Sequence, residues 1–204
     1  MAPADENELQ HALKTALCIS TDATGVLVQP LRDTQTRQSC RRGHYFVQIA
    51  DRDHVFFEYT PKETSAAVGE MFKGFSGYVQ ADAKSVFDIL FRPPPEDPPD
   101  DGDADLGKRI EVGCLSHARR GLWEAAIAKS TVAREGLARL GRIFALERKW
   151  KKVRPDQRKA LRQAHARPHL ESFFAWAEVE FARVKDQRGR LRSALGYCVR
   201  HQAA

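Results

Sequence analysis

No stretch of this sequence approaches the roughly 20 consecutive apolar residues that a membrane helix needs, which argues against a spanning segment. Cysteine is scarce. Cys18, Cys40, Cys114 and Cys198 lie far apart among 204 residues and form no CxxC pair. That spacing argues against a disulfide framework and a four-cysteine zinc site, and makes a reducing cytoplasm the simplest location. The first residues, Met1-Ala-Pro-Ala-Asp-Glu-Asn-Glu8, carry acid where a secretory signal carries base, and no apolar segment follows. A signal peptide is therefore not expected. There is no internal repeat. What the sequence does have is a 42% apolar share, enough for a packed core in one domain, or in one domain with an appended subdomain.

Each half of the chain is also short of one sign of charge. Residues 1–107 carry 10 Lys+Arg against 18 Asp+Glu, and residues 108–204 carry 23 against 9, so balances of −8 and +14 make up the formal net charge of +6. A strongly basic half suits a polyanion. The acidic half is either a solvated surface with an acidic loop or a carboxylate cluster that holds metal ions.

Leu9, Leu13 and Leu17 at helical spacing predict a helix over 5–16. Residues 17–22 read as a strand ending on Asp22, Ala23-Thr-Gly25 as a turn, 26–28 as a second extended piece and 31–42 as a loop. The clearest β signal is the pair 44–50 and 54–60, rich in β-branched and aromatic residues and joined by Asp51-Arg52-Asp53, a hairpin. Thr60-Pro61-Lys62-Glu63 has the form of a capping box, which predicts a helix from there to about Lys73, stopped by Gly74. Residues 77–82 form a second short strand ending on an acid, Asp82, and 84–91 a brief helix. The Pro/Asp-rich stretch 92–107 is a disordered acidic loop. Residues 109–113 make a strand, Cys114 opens a helix, and the remainder is helical, with breaks at Val153-Arg-Pro155 and Arg167-Pro168. Helical spacing marks Ala133, Leu137, Leu140 and Phe144, then Leu170, Phe174, Ala177, Phe181 and Val184, then Leu191, Leu195 and Cys198/Val199. The fold class is α/β, a mixed-sheet core followed by an all-helical subdomain.

Three constellations can carry chemistry. Asp22 and Asp82 each end an apolar strand. If the strands are neighbours, both carboxylates emerge at one sheet edge, and two acids held close stay ionised only with a cation between them. Mg²⁺ suits such a sparse carboxylate site, and two ions about 4 Å apart can activate a water and stabilise the leaving oxygen at a phosphodiester. The plainer reading is a turn at Asp22 and a helix cap at Asp82. Second, Cys114-Leu-Ser-His117, followed by Arg119 and Arg120, has half the ligands of a zinc site, but no second pair with ligand spacing accompanies it. A packed cysteine and a hydrogen-bonded histidine explain it as well. Third, residues 139–162 hold 10 positive residues in 24 positions, among them Arg148, Lys149, Lys151, Lys152, Arg158 and Lys159, with only Glu147 and Asp156 opposing. Such a run neutralises phosphates without reading sequence, or is a solvated helix face.

Ile19-Ser-Thr-Asp22-Ala-Thr-Gly25, Gly77-Tyr-Val-Gln-Ala-Asp82-Ala83 and Val112-Gly-Cys114-Leu-Ser-His117-Ala-Arg-Arg120 occur in that order, with the 44–60 hairpin between the first two. Together with Ser193-Ala-Leu-Gly-Tyr197 they resemble the central catalytic region of insertion sequence 66 family transposases, over nearly the whole chain. The resemblance implies an RNase H-like core over 18–128 behind an N-terminal helix, 1–17, and a basic helical insertion over 129–204. It implies a DDE-type, divalent-metal-dependent enzyme in which Mg²⁺ or Mn²⁺, held by Asp22 and Asp82, activates water to nick DNA at the element's end. The freed 3′-hydroxyl then attacks target DNA. Cys114 and His117 would take a supporting role, and Arg119 and Arg120 join the DNA-binding residues.

The family's third acid, a Glu near an Asp-Asn-Asn-like segment beyond Tyr197, has no counterpart before Ala204. Glu171, Glu178 and Glu180 lie on an earlier helix. The expectation is thus a fragment truncated at its C-terminus, with little or no transposition of its own unless another copy or a separate chain supplies the acid. Two alternatives stay open: a non-catalytic nucleic-acid-binding remnant of the same fold, and an RNase H-like nuclease that completes its acid set with Asp88 or Glu180.

Overall fold

The computed structural model describes residues 6–29, 39–51, 53–82, 84–92 and 108–202, with side chains from residue 11 onward. The expected acidic loop therefore lies almost wholly outside the described residues, as does the polar stretch 31–38. Two compact units divide the chain, the first running to Gly113 and the second beginning at Cys114.

The first unit opens with α1 (Glu6–Thr15) and is built on five strands: β1 (Cys18–Val28), β2 (Arg41–Ala50), β3 (His54–Thr60), β4 (Gly77–Ala81) and β5 (Arg109–Gly113). They form one mixed sheet in the order β3-β2-β1-β4-β5. The first three are an antiparallel meander, while β4 pairs with β1, and β5 with β4, in parallel. Alternation along the strands sends Ile19, Phe46 and Val79 to one face. There they are buried with Val68 and Phe72 around α2 (Ser65–Met71), and with Phe75, Phe87 and Leu90 from the segments flanking β4, the last two on a 3₁₀ helix, Ser85–Phe91. The other face presents Tyr45, Val55, Phe57, Tyr59, Tyr78 and Ile110, all exposed. The hairpin turn is clasped by one residue. Asp51, at φ 51°, donates its N–H to the Cys18 carbonyl at 3.0 Å, and its carboxylate accepts from the N–H groups of Leu17 and Cys18 at 3.0 and 2.9 Å.

Three local expectations need correction. The turn at Ala23-Thr-Gly25 is absent, because β1 runs on through it. Ladder pairing with β2 continues through Gly25↔His44 to Val28↔Arg41, and this outweighs the turn preference of glycine. For the same reason Arg41 and Arg42 belong to β2 rather than to a loop. The capping box at Thr60 does not form. Thr60 is the last residue of β3, paired with His44, and α2 starts later, capped by the Thr64 side chain, which accepts the Ala67 N–H at 3.2 Å.

The second unit is all helix: α3 (Leu115–Ile127), α4 (Thr131–Lys149), α5 (Pro155–Leu161), α6 (Arg167–Val184) and α7 (Arg190–Arg200). Together with α1 and α2 these are the seven α-helices among the described residues. The Ser130 hydroxyl caps α4 by accepting the Ala133 N–H at 3.2 Å. Leu122, Leu140, Ile143, Phe173, Ala177, Leu195 and Cys198 are buried together, with the other residues of the expected apolar stripes packed around them. The break expected at Pro168 does not occur. A π-helical turn, Arg162–Ala166, joins α5 to α6 and leaves Pro168 in the first turn of α6, where its missing N–H costs no hydrogen bond.

Candidate functional site

The parallel ladder of β1 and β4 sets the site. Ser20 stands beside Gln80 in register, and the Ser20 hydroxyl donates to Gln80 Oε1 at 3.3 Å. Two residues further on, on the same face, come Asp22 and Asp82; Asp82 lies just past β4 as expected, whereas β1 does not end on Asp22 but runs through it, held by its pairing with β2. A carboxylate oxygen of Asp22 and one of Asp82 lie within 4.8 Å of each other. Local bonds orient both groups. Asp22 Oδ1 accepts the N–H of Ala23 at 2.8 Å, and Asp82 Oδ1 accepts that of Lys84 at 3.3 Å. Asp22 is exposed, whereas the Asp82 side chain keeps only 15% of its surface.

A cation of the chain's own stands at this pair. Lys84 Nζ lies 3.8 Å from Asp82 Oδ2 and donates to the Ala23 carbonyl at 3.3 Å and to Glu63 Oε1 at 3.0 Å. The other oxygen of Glu63 lies 3.5 Å from His44 Nδ1. Burial works to lower the pKa of Lys84, but the Glu63 hydrogen bond and the fields of Asp82, Glu63 and Asp22 outweigh it and raise the pKa, so the ammonium stays charged. The donor set of the acid pair is hard carboxylate oxygen, which fits Mg²⁺ or Mn²⁺ better than a softer ion. Asp88 is exposed on the 3₁₀ helix and does not join the pair within 4.8 Å.

Sequence reasoning missed Lys84, Glu63 and His44. Glu63 was assigned to a capping box. Once Thr60 is taken up by β3, the Glu63 carboxylate is left in the connection to α2 and turns to Lys84 instead. The one signal available was a lysine two residues beyond an acid that ends a strand.

In the second unit Cys114 is the residue before α3, and its carbonyl accepts the N–H of His117 at 3.0 Å and the hydroxyl of Tyr197 at 3.4 Å. Arg119 and Arg120 are exposed on α3, the latter 3.6 Å from Glu124. Arg148, Lys149, Lys151, Lys152 and Lys159 are exposed around the end of α4 and on α5. Arg158 differs, since its guanidinium donates to Glu147 at 2.7 Å and is mostly covered. The two acids within the basic run are thus both engaged, Glu147 by Arg158 and Arg162, and Asp156 by Arg154 at 2.8 Å. Glu180 lies on α6, paired with Arg183 at 2.6 Å.

Among the described residues no helix is long and apolar enough to cross a membrane. No curated protein matches the chain. Residues 4–204 match a family model described as transposase IS66 family.

Proposed function

The chain belongs to the transposase IS66 family, and from that premise we propose that it acts on DNA through a DDE-type site on an RNase H-like core, with Asp22 and Asp82 as two of the metal-holding acids. The observation that carries this reading is the approach to within 4.8 Å of two carboxylates, one inside β1 and one just past its parallel neighbour β4. An antiparallel meander extended by two parallel strands, with an acid in the central strand and another just past its parallel neighbour, supports the RNase H-like assignment. We read residues 1–17 as an N-terminal helix, 18–128 as the core and 129–204 as a basic helical insertion. By packing, α3 joins α4 and α7.

Asp22 and Asp82 offer the oxygens for Mg²⁺ or Mn²⁺, and their local hydrogen bonds keep both aimed at one spot. When bound, the ion would activate water and stabilise the leaving oxygen at a phosphodiester. Arg119, Arg120, Arg148, Lys149, Lys151, Lys152 and Lys159 are exposed cations suited to the phosphate backbone, and Arg158, which Glu147 already engages, would join them only at the edge of that surface. Cys114 and His117 support the start of α3. A DNA substrate fits a cytoplasmic location.

A second reading, DNA binding without cleavage, is favoured by the exposed basic run. Calorimetric melts with millimolar Mn²⁺, and DNA binding measured by anisotropy across a salt series, separate the two. We expect Mn²⁺ to stabilise the protein, by about 1.4 kcal/mol at ten times its Kd. Asp22→Asn and Asp82→Asn should remove that gain and leave DNA affinity in place. A melt that Mn²⁺ does not move defeats the metal site and leaves the binding-only reading. DNA affinity indifferent to salt defeats both.

A further inference from the structure

Lys84 stands at the acid pair, with Glu63 and then His44 linked behind it, and the family reading gives them no task. The Lys84 ammonium reaches three segments at once: the Ala23 carbonyl, one residue past Asp22 on β1; the Asp82 carboxylate beyond β4; and Glu63 in the connection from β3 to α2. Its own backbone N–H donates to the Asp82 carbonyl at 2.8 Å. The distances are unequal. Nζ is 3.0 Å from Glu63 and 3.8 Å from Asp82. Glu63 is held at both oxygens, by Lys84 on one and His44 on the other.

We propose that Lys84 is a positioning residue and resident counter-cation of the Asp22/Asp82 pair, and that Glu63 is the seat to which its ammonium withdraws when a divalent ion enters. The proposal rests on the reading of Asp22 and Asp82 as metal-holding acids. Two aspartates alone present a charge of −2. With Lys84 beside them the three groups sum to −1, which eases the repulsion between the two carboxylates before any ion arrives. The same ammonium opposes an incoming dication. Glu63 relieves that opposition, because it gives Lys84 a closer partner than Asp82, 3.0 Å against 3.8 Å. Lys84 and Glu63 thus act on ion affinity with opposite signs, although they form one ion pair. A merely structural salt bridge would show the same sign on losing either partner.

The test is Mn²⁺ binding to the full chain, read from the loss of the free-ion signal in electron paramagnetic resonance. Lys84→Met should tighten binding by about tenfold, the scale of one unit charge removed at close range. Glu63→Gln should weaken it several-fold, Lys84→Arg should stay near wild type, and Asp22→Asn should abolish it. If Lys84→Met binds no more tightly than wild type, or if Lys84→Met and Glu63→Gln shift the affinity in one direction, the proposal is overturned. Failure of the wild type itself to bind Mn²⁺ would overturn the metal site instead. Lys84 is then judged by ion-free melts. Lys84→Met should lower the melting temperature, and adding Asp82→Asn should recover it. Without that recovery the counter-cation role is refuted.

Discussion

Glu147→Gln removes the charge that ties the end of α4 to α5 and to the π turn. Glu147 accepts from Arg162 through Nε and Nη2 and from Arg158 through Nη2, each at 2.7 Å. The Arg162 hydrogen bond does most to hold its carboxyl at about 2, well below the ordinary 4.5. Partial burial works against this, and Arg158 adds to it. The folded protein thus binds this proton less tightly than the unfolded chain. The resulting stability is complete above about 4.5 and is lost as the pH falls from there towards about 2. At about 1.4 kcal/mol per tenfold change in proton affinity, the ceiling is roughly 3.4 kcal/mol. Arg162 is 50% exposed, and solvent screening brings the expected loss to roughly 1–2 kcal/mol. All three tryptophans, Trp123, Trp150 and Trp176, lie in the second unit, so their fluorescence during urea unfolding reports on that unit. At pH 7 the variant should unfold at a midpoint lower by roughly 0.5–1 M. At pH 3 the gap should be less than half as large, because wild-type Glu147 is losing its advantage. A gap that does not change with pH, or a variant as stable as wild type at pH 7, would refute this account of the three-way pair.

Two further predictions concern packing and thiol chemistry. A methyl group on Gly136 would stand 2.7 Å from Trp176 Cη2 and 3.0 Å from Leu122 Cδ1, so Gly136→Ala should destabilise the second unit by roughly 1–3 kcal/mol; the same urea series, together with a shifted tryptophan spectrum, checks this. Burial pushes the Cys198 thiol up to about 11 while Cys40 is exposed, so brief iodoacetamide treatment at pH 8 followed by peptide mass spectrometry should find Cys40 alkylated and Cys198 intact. Earlier modification of Cys198 would contradict the burial.

The approach of Asp22 and Asp82 was legible only conditionally: each follows a short apolar run, and they meet if those runs are neighbouring strands, which β1 and β4 are. The hairpin was legible from its β-branched and aromatic composition. The helical stripes of the second unit were legible too, although the fully buried Phe173 lies one position away from the expected Phe174. The misses share a cause. Gly25, Thr60 and Pro168 each carry a strong local preference that a non-local partner or a neighbouring turn overrules: the β2 ladder for the first two, the π turn for the third. The same limit hid Lys84 and Glu63. Their chemistry depends on which strand ends meet, and a spacing rule reads only one segment at a time.

The Asp51 clasp bears on how the chain assembles as it is made. Its partners, Leu17 and Cys18, and the three strands of the meander are all contained in the first sixty residues. The clasp spans 33–34 residues, all of them made early, because synthesis proceeds from the N-terminus. The strand bearing Asp22 can therefore be seated before the ribosome has delivered Asp82. When the second carboxylate does emerge, the ammonium that will neutralise it follows two codons behind, so the growing chain never has to carry the bare pair for long.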